Sequence, residues 1–291
     1  MENRVLEELL REGRLSETLT ELQNRIRKDP SNAKLRIFLF QLLAVEGKWE
    51  RAMTQLKVAG ELDPGALSMV HTYREALQCE ALREAVFAGE RSPLVFGEPE
   101  HWIALALEAV RRGAQGAVTE SQAIREEVFA LAPAATGRIT GRGNTGPVNE
   151  GEEPAEQKFD WFADADPRLG PMIEAIVNGR YYWIPVSRIK QIDIEPVADL
   201  RDVVWLPAHL TFATGGQSVA LLPARYPGSD AAEDPALRLA RRTEWIDRGE
   251  DLFFGLGQRM FATDAGEYSI LDTRSIAFDV EDQAASDPQD H

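Results

Sequence analysis

Two stretches of this chain match one another at a fixed offset of 34 residues, and that spacing constrains the fold more than any other feature. Gly13 pairs with Gly47, Asp29 with Asp63 and Pro30 with Pro64, and Leu9/Leu43, Leu22/Leu56 and Leu15/Trp49 fall on the same offset. Apolar residues recur at helical spacing inside each stretch: Val5, Leu6, Leu9 and Leu10 before Gly13, then Leu35, Leu39, Leu42 and Leu43 before Gly47. The glycine interrupts one helix, and the Asp-Pro pair ends the next, because proline disfavours the helical conformation of the residue before it. The pattern predicts helices over 2–12 and 15–27, then over 33–46 and 49–62.

That period is the one found in the tetratricopeptide repeat, whose helix–turn–helix units bury their apolar faces only by stacking on one another. The third unit is degraded: a helix over 66–80 has a short mate over 80–89, and position 81 is Ala where the turn glycine belongs. Helices over 100–112 and 118–131 follow, and Gly116 to Pro133 spans the same 17 residues as Gly47 to Pro64, so an irregular unit closes the array. The first helix of each unit lines the concave side. Counting back from Gly47 puts Ile37, Phe38, Gln41 and Val45 on or beside that surface, and Tyr73 joins them as a candidate partner-helix contact. The stretch LRIFLFQLLAV at 35–45 is almost wholly apolar, and a helix apolar all round is buried on more than one side. What buries it is either a neighbouring part of the chain or an amphipathic helix of another protein.

The character of the chain changes after Pro133. Residues 134–158 hold Gly137, Gly141, Gly143, Gly146 and Gly151 with four glutamates, and read as an acidic Gly/Pro-rich linker. From Phe159 the apolar period shifts towards two. Residues 172–177 and 180–185 flank Asn178-Gly179, a strong hairpin signal, and 203–212 and 217–223 flank Gly215-Gly216. A short helix over 235–242 and strands over 258–263, 268–272 and 275–280 complete a β-rich domain over 159–280, before an acidic tail at 281–291 with the composition of a disordered segment. The expected fold class is α+β: a tetratricopeptide-like helical array over 1–133, followed by a compact, mainly antiparallel β domain.

The net charge of −16 repels phosphate backbones and anionic membrane surfaces, so neither nucleic acid nor a membrane is an expected partner. A lone cysteine, Cys79, excludes an internal disulfide and fits a reducing, cytoplasmic compartment. The amino terminus lacks the features of a signal peptide, and no apolar run is long enough to cross a bilayer. The histidines His71, His101, His209 and His291 have no metal-ligand spacing, and no phosphate loop or nucleophile elbow occurs, so no cofactor is expected. The densest polar cluster is Asp164, Asp166, Arg168 and Glu174. Paired carboxylates there are able to hold a cation or to act as acid and base, giving a small-ligand or hydrolytic module as the alternative function. In the plainer reading Asp166-Pro167 starts a turn and Arg168 pairs with an acid. Tyr181, Tyr182, Trp183 and Trp205 are either a stacking platform for a ligand or cross-strand pairs over a core. Arg225-Tyr226-Pro227 and the run Arg241 to Trp245 are either an anion site or a charged rim.

With these residues laid out, the chain resembles the ImpE/TagJ (SciE) family of type VI secretion accessory proteins over nearly its full length. The distinctive blocks are 159–166 with Arg168 to Pro171, Asn178 to Pro185, Asp199 to Trp205, Arg225 to Pro227, Thr243 to Trp245 and Gly257 to Arg259. The resemblance implies a cytoplasmic, non-enzymatic adaptor that binds the amino-terminal helix of the small sheath subunit TssB, with a functional link to the ATPase ClpV. It supplies no catalytic motif.

Overall fold

A computed structural model of the chain describes residues 4–98, 100–143 and 154–280. Helices α1 (Arg4–Arg11) and α2 (Leu15–Lys28), then α3 (Ala33–Val45) and α4 (Trp49–Leu62), form two hairpins at the 34-residue offset. Their turns share one mechanism. Gly13 and Gly47 take left-handed φ values of 73° and 64°, which cost a side-chain-bearing residue strain. The next amide then reaches back to the helix, Arg14 N–H to Leu9 O and Lys48 N–H to Leu43 O, both at 2.9 Å. The pair α6 (His101–Ala114) and α7 (Val118–Leu131) repeats it through Gly116, φ 82°.

The third unit departs from expectation. Residues 67–87 form one 21-residue helix, α5 (Leu67–Phe87), with no break at 80–81. No Gly or Pro lies between 66 and 88, and Glu80, Ala81 and Leu82 are good helix formers, so nothing local stops propagation until Gly89, φ 71°.

Thirteen strands are found among the described residues: β1 (Leu94–Val95), β2 (Gly137–Gly143), β3 (Ala155–Phe159), β4 (Phe162–Asp164), β5 (Met172–Val177), β6 (Arg180–Pro185), β7 (Ile189–Ile194), β8 (Trp205–Phe212), β9 (Gln217–Pro223), β10 (Thr243–Asp247), β11 (Phe253–Gly257), β12 (Met260–Thr263) and β13 (Gly266–Phe278). Eleven of them make one sheet in the order β1-β6-β5-β9-β8-β7-β13-β12-β4, with β2 on β13 and β3 on β2. Every pairing is antiparallel except β1 with β6, and β10–β11 is a separate hairpin. The short helix α8 (Pro235–Arg238) starts with Asp234, whose carboxylate accepts from Ala236 N–H at 2.8 Å.

The β5–β6 hairpin closes as its sequence predicts, with Asn178 and Gly179 at φ 48° and 70°. Two expectations are corrected. Residues 137–143 and 155–158, within the expected linker, belong to the paired strands β2 and β3, and residues 144–153 between them lie outside the described residues, as does 281–291. Gly137 and Gly141 mark close backbone approach instead of a loop: a Cβ on Gly137 would lie 2.1 Å from Ala277 O, and one on Gly141 would lie 3.2 Å from Thr273 Cα. The strands expected at 268–272 and 275–280 are one strand, β13, irregular where its register with β2 shifts between Tyr268 and Ser275.

Period two sorts the sheet's side chains onto two cores. On one face Ile173, Ala175, Val177, Leu206, Ala208, Leu210, Ala220 and Leu222 join residues of β2, β4, β12 and β13 in a core belonging to the sheet alone. On the other face Met172, Ile176, Tyr181, Trp183, Trp205 and Leu221 join the apolar faces of α1 to α7 in a single cluster. The helical half and the sheet half therefore share a core.

Candidate functional site

Glu174 occupies the middle of β5, whose six residues are all buried. A carboxylate there needs compensation, and long-range partners supply it. Arg83, on α5, donates Nε and Nη2 to its two oxygens at 2.9 and 2.8 Å. Arg259 forms an ion pair with the same carboxylate, and Tyr181 donates its hydroxyl at 2.5 Å. Arg259 also reaches Asp164 at 2.7 Å, and Tyr226 donates to Asp164 at 3.1 Å. Burial pushes Asp164 up to about 6, against the Arg259 charge that draws it down, and burial lowers Arg259 to about 10. Asp166 faces Arg168 at 2.6 Å, accepts the Gly255 amide at 2.8 Å, and anchors the turn ending at Gly170. Asp164, Asp166, Arg168 and Glu174 are thus consumed by ion pairs, and the plainer sequence reading describes them. Among the described residues no group of three or more His, Cys, Asp or Glu is placed to hold a metal ion.

The other motif residues serve the same seam. Trp205 donates Nε1 to buried Glu80 at 2.6 Å, and its ring lies 5.9 Å from both Tyr73 and Trp49. Trp183 packs on Phe87 at 5.5 Å. Of the two sequence readings, a ligand platform or cross-strand pairs over a core, Tyr181, Trp183 and Trp205 are in the core, as a wall between sheet and helices; Tyr182 points away, against Phe96. Arg225 donates to the terminal carbonyls of α3, Val45 O at 2.8 Å and Ala44 O at 3.3 Å. Arg241 does the same for α1, at Leu10 O (2.7 Å) and Arg11 O (2.8 Å). These arginines meet carbonyl oxygens at the negative ends of helices, so the anion of that reading is a helix terminus of the same chain. Cys79 is buried, its thiol pushed up to about 11 by desolvation.

The five candidate partner-helix residues separate. Gln41, Val45 and Tyr73 are at most 6% exposed. The chain's own segment Leu200–Val203, a 3-10 turn closed by reciprocal Asp199 and Asp202 caps, packs on the partly apolar face that includes them, and Arg201 sits 4.7 Å over the Tyr73 ring. Ile37 and Phe38 remain half-buried. At its α3 section the expected hollow is filled from within.

An open apolar groove of about 340 Å³ lies elsewhere, along the seam of α4 and α5. Met53, Leu56, Gly60, Leu67 and Val70 line it, and Lys57, Glu61 and Arg74 form a charged rim. Leu67 is 55% exposed, large for a leucine in such a wall. Gly60 lets the helices close up: a Cβ there would meet Val70 Cγ2 at 3.2 Å. Because α5 runs straight on, no helix among the described residues returns to cover the seam. The sequence held one sign of it, a glycine inside the α4 pattern followed by Leu67 just beyond Asp63-Pro64. The groove itself depends on the missing turn at 80–81.

Comparison with known proteins places this architecture. A family model described as ImpE protein matches residues 156–277. A relative from Pseudomonas aeruginosa, the type VI secretion system accessory component TagJ, is 52% identical over 278 residues, covering 96% of this chain and 92% of its own length. The crystal structure of protein VPA1032 from Vibrio parahaemolyticus matches with a TM-score of 0.80 at 23% identity, over 95% of this chain and 98% of that one. At that identity the likeness concerns the fold.

Proposed function

This chain belongs to the ImpE family, and on that premise we propose that it is a non-enzymatic accessory protein of a type VI secretion system that captures the amino-terminal amphipathic helix of the sheath subunit TssB in the cytoplasm. A functional link to ClpV follows from the same reading. The observation that carries it is the uncovered α4–α5 groove, an apolar floor with a charged rim that suits a helix presenting i, i+3, i+4 and i+7 anchors. The tetratricopeptide-like character of the array supports the same use. Ile37 and Phe38, half-buried on α3, are a second place for contact; Gln41, Val45 and Tyr73 serve the chain's own core. No comparable observation favours a hydrolytic module at Asp164, Asp166, Arg168 and Glu174, since each is held in a buried ion pair.

Calorimetric titration with a synthetic TssB amino-terminal peptide tests the proposal. Met53→Asp and Val70→Asp each put an uncompensated charge on the groove floor and are expected to weaken binding by at least about tenfold, with unchanged circular dichroism. A loss confined to Ile37→Asp and Phe38→Asp would move the site to α3. Full affinity in all four variants would remove the helical half from the interface.

A further inference from the structure

A second cavity, of about 480 Å³, opens between the α6–α7 hairpin and the β10–β11 hairpin. Phe87, Leu252 and Phe254 supply apolar wall, and three guanidiniums join them: Arg125, Arg168 and Arg248. The ring of Phe254 gathers all three, with guanidinium carbons 5.8, 4.4 and 5.4 Å from its centroid. This is a local excess of positive charge in a chain of net charge −16.

Arg125 is the unusual member. It is 3% exposed, yet among the described residues only its Nη1 has a hydrogen-bond acceptor, Pro167 O at 2.5 Å. Its Nε and Nη2 are buried without an acceptor among the described residues. The nearby carboxylates are committed elsewhere: Asp166 accepts from Arg168 and Gly255, and Asp247 accepts from the Gly249 amide at 2.7 Å. Burial lowers Arg125 to about 10, helped by Arg168 and opposed by Asp166, so it stays charged at neutral pH. Nε–H and Nη2–H lie along one edge of the guanidinium, as a pair of parallel donors that matches two oxygens of a carboxylate or phosphate. The cavity also falls within the range of roughly 300–1,000 Å³ common to small-molecule sites.

We propose that this cavity binds a small organic oxyanion, a carboxylate or phosphate on an aromatic or apolar body, whose oxygens take the two free donors of Arg125 while the body packs on Phe254. Arg168 and Arg248 add charge around it. The site is independent of the groove on α4 and α5.

The test titrates the full chain with benzoate, phenylphosphate and inorganic phosphate at millimolar concentration, with benzyl alcohol as the neutral control, following heat and the Arg Nε–H resonances. At least one oxyanion is expected to bind and move the Arg125 signal, while benzyl alcohol does neither. Benzoate alone would indicate a carboxylate ligand, and phenylphosphate ahead of inorganic phosphate a phosphate ester. Arg125→Gln is expected to abolish binding, and Arg125→Lys, which keeps the charge without the fork, to weaken it at least about tenfold. If Arg125→Gln does not fold, Arg248→Gln, on the exposed rim, is expected to weaken binding several-fold in a folded protein. No binding by any of the three anions, equal binding of benzyl alcohol, or unchanged affinity in Arg125→Lys and Arg248→Gln overturns the proposal.

Discussion

Glu174 illustrates what a single side chain does in this molecule. Its carboxylate is shared by Arg83 and Arg259, so one acid compensates cations from both halves. Removing one partner of a buried pair leaves a charge without compensation, which costs about 3–5 kcal/mol. Glu174→Gln is therefore expected to lower unfolding free energy by that amount in urea titrations at neutral pH. A loss below about 1 kcal/mol would mean that the two arginines find other partners or solvent. The residue was singled out from sequence as a possible acid or base. Its actual role was hidden because Arg83 lies 91 positions away and Arg259 lies 85, separations at which spacing carries no information. Arg225 and Arg241 were equally visible as charged motif residues, and equally silent about the helix ends they meet.

Elements were legible wherever the signal was local. The left-handed glycines at 13, 47 and 116 and the Asn178-Gly179 turn act through their own φ values, and all appear where the sequence puts them. The failures also have local explanations. In β2, Gly137 resembles loop composition, although its task is to let the backbone of β13 pass. In α5 the repeat period demanded a turn that the residues there do not encode. Ala81 is exposed in the middle of that helix, so Ala81→Gly is expected to destabilise the protein by about 0.5–1 kcal/mol through backbone entropy alone. A neutral or stabilising effect in thermal or urea unfolding would instead fit a chain that turns at that position. The unbroken helix matters to the proposed function, because it leaves the α4–α5 groove uncovered.

At the scale of the whole molecule, the shared core predicts cooperativity. Leu6 on α1 and Trp205 on β8 belong to one apolar cluster, and Arg225 ties the sheet half to α3. The full chain is expected to show a single calorimetric transition whose van't Hoff and calorimetric enthalpies agree. Two separated transitions, or a fragment of residues 1–133 with the thermal stability of the full chain, would show that the halves fold independently. Helix periods, turn glycines, the hairpins and the two-half α+β layout were open to reading from the chain alone, because each depends on residues within a few positions of one another. Which apolar face meets which was not. Ile37, Phe38, Gln41, Val45 and Tyr73 look alike in a helical pattern, yet the last three are buried, Tyr73 beneath Arg201 and beside Trp205, while a leucine at 67 is left open. Burial is a contest among all the surfaces a chain brings together, and its outcome is set by contacts between distant segments that no local pattern records.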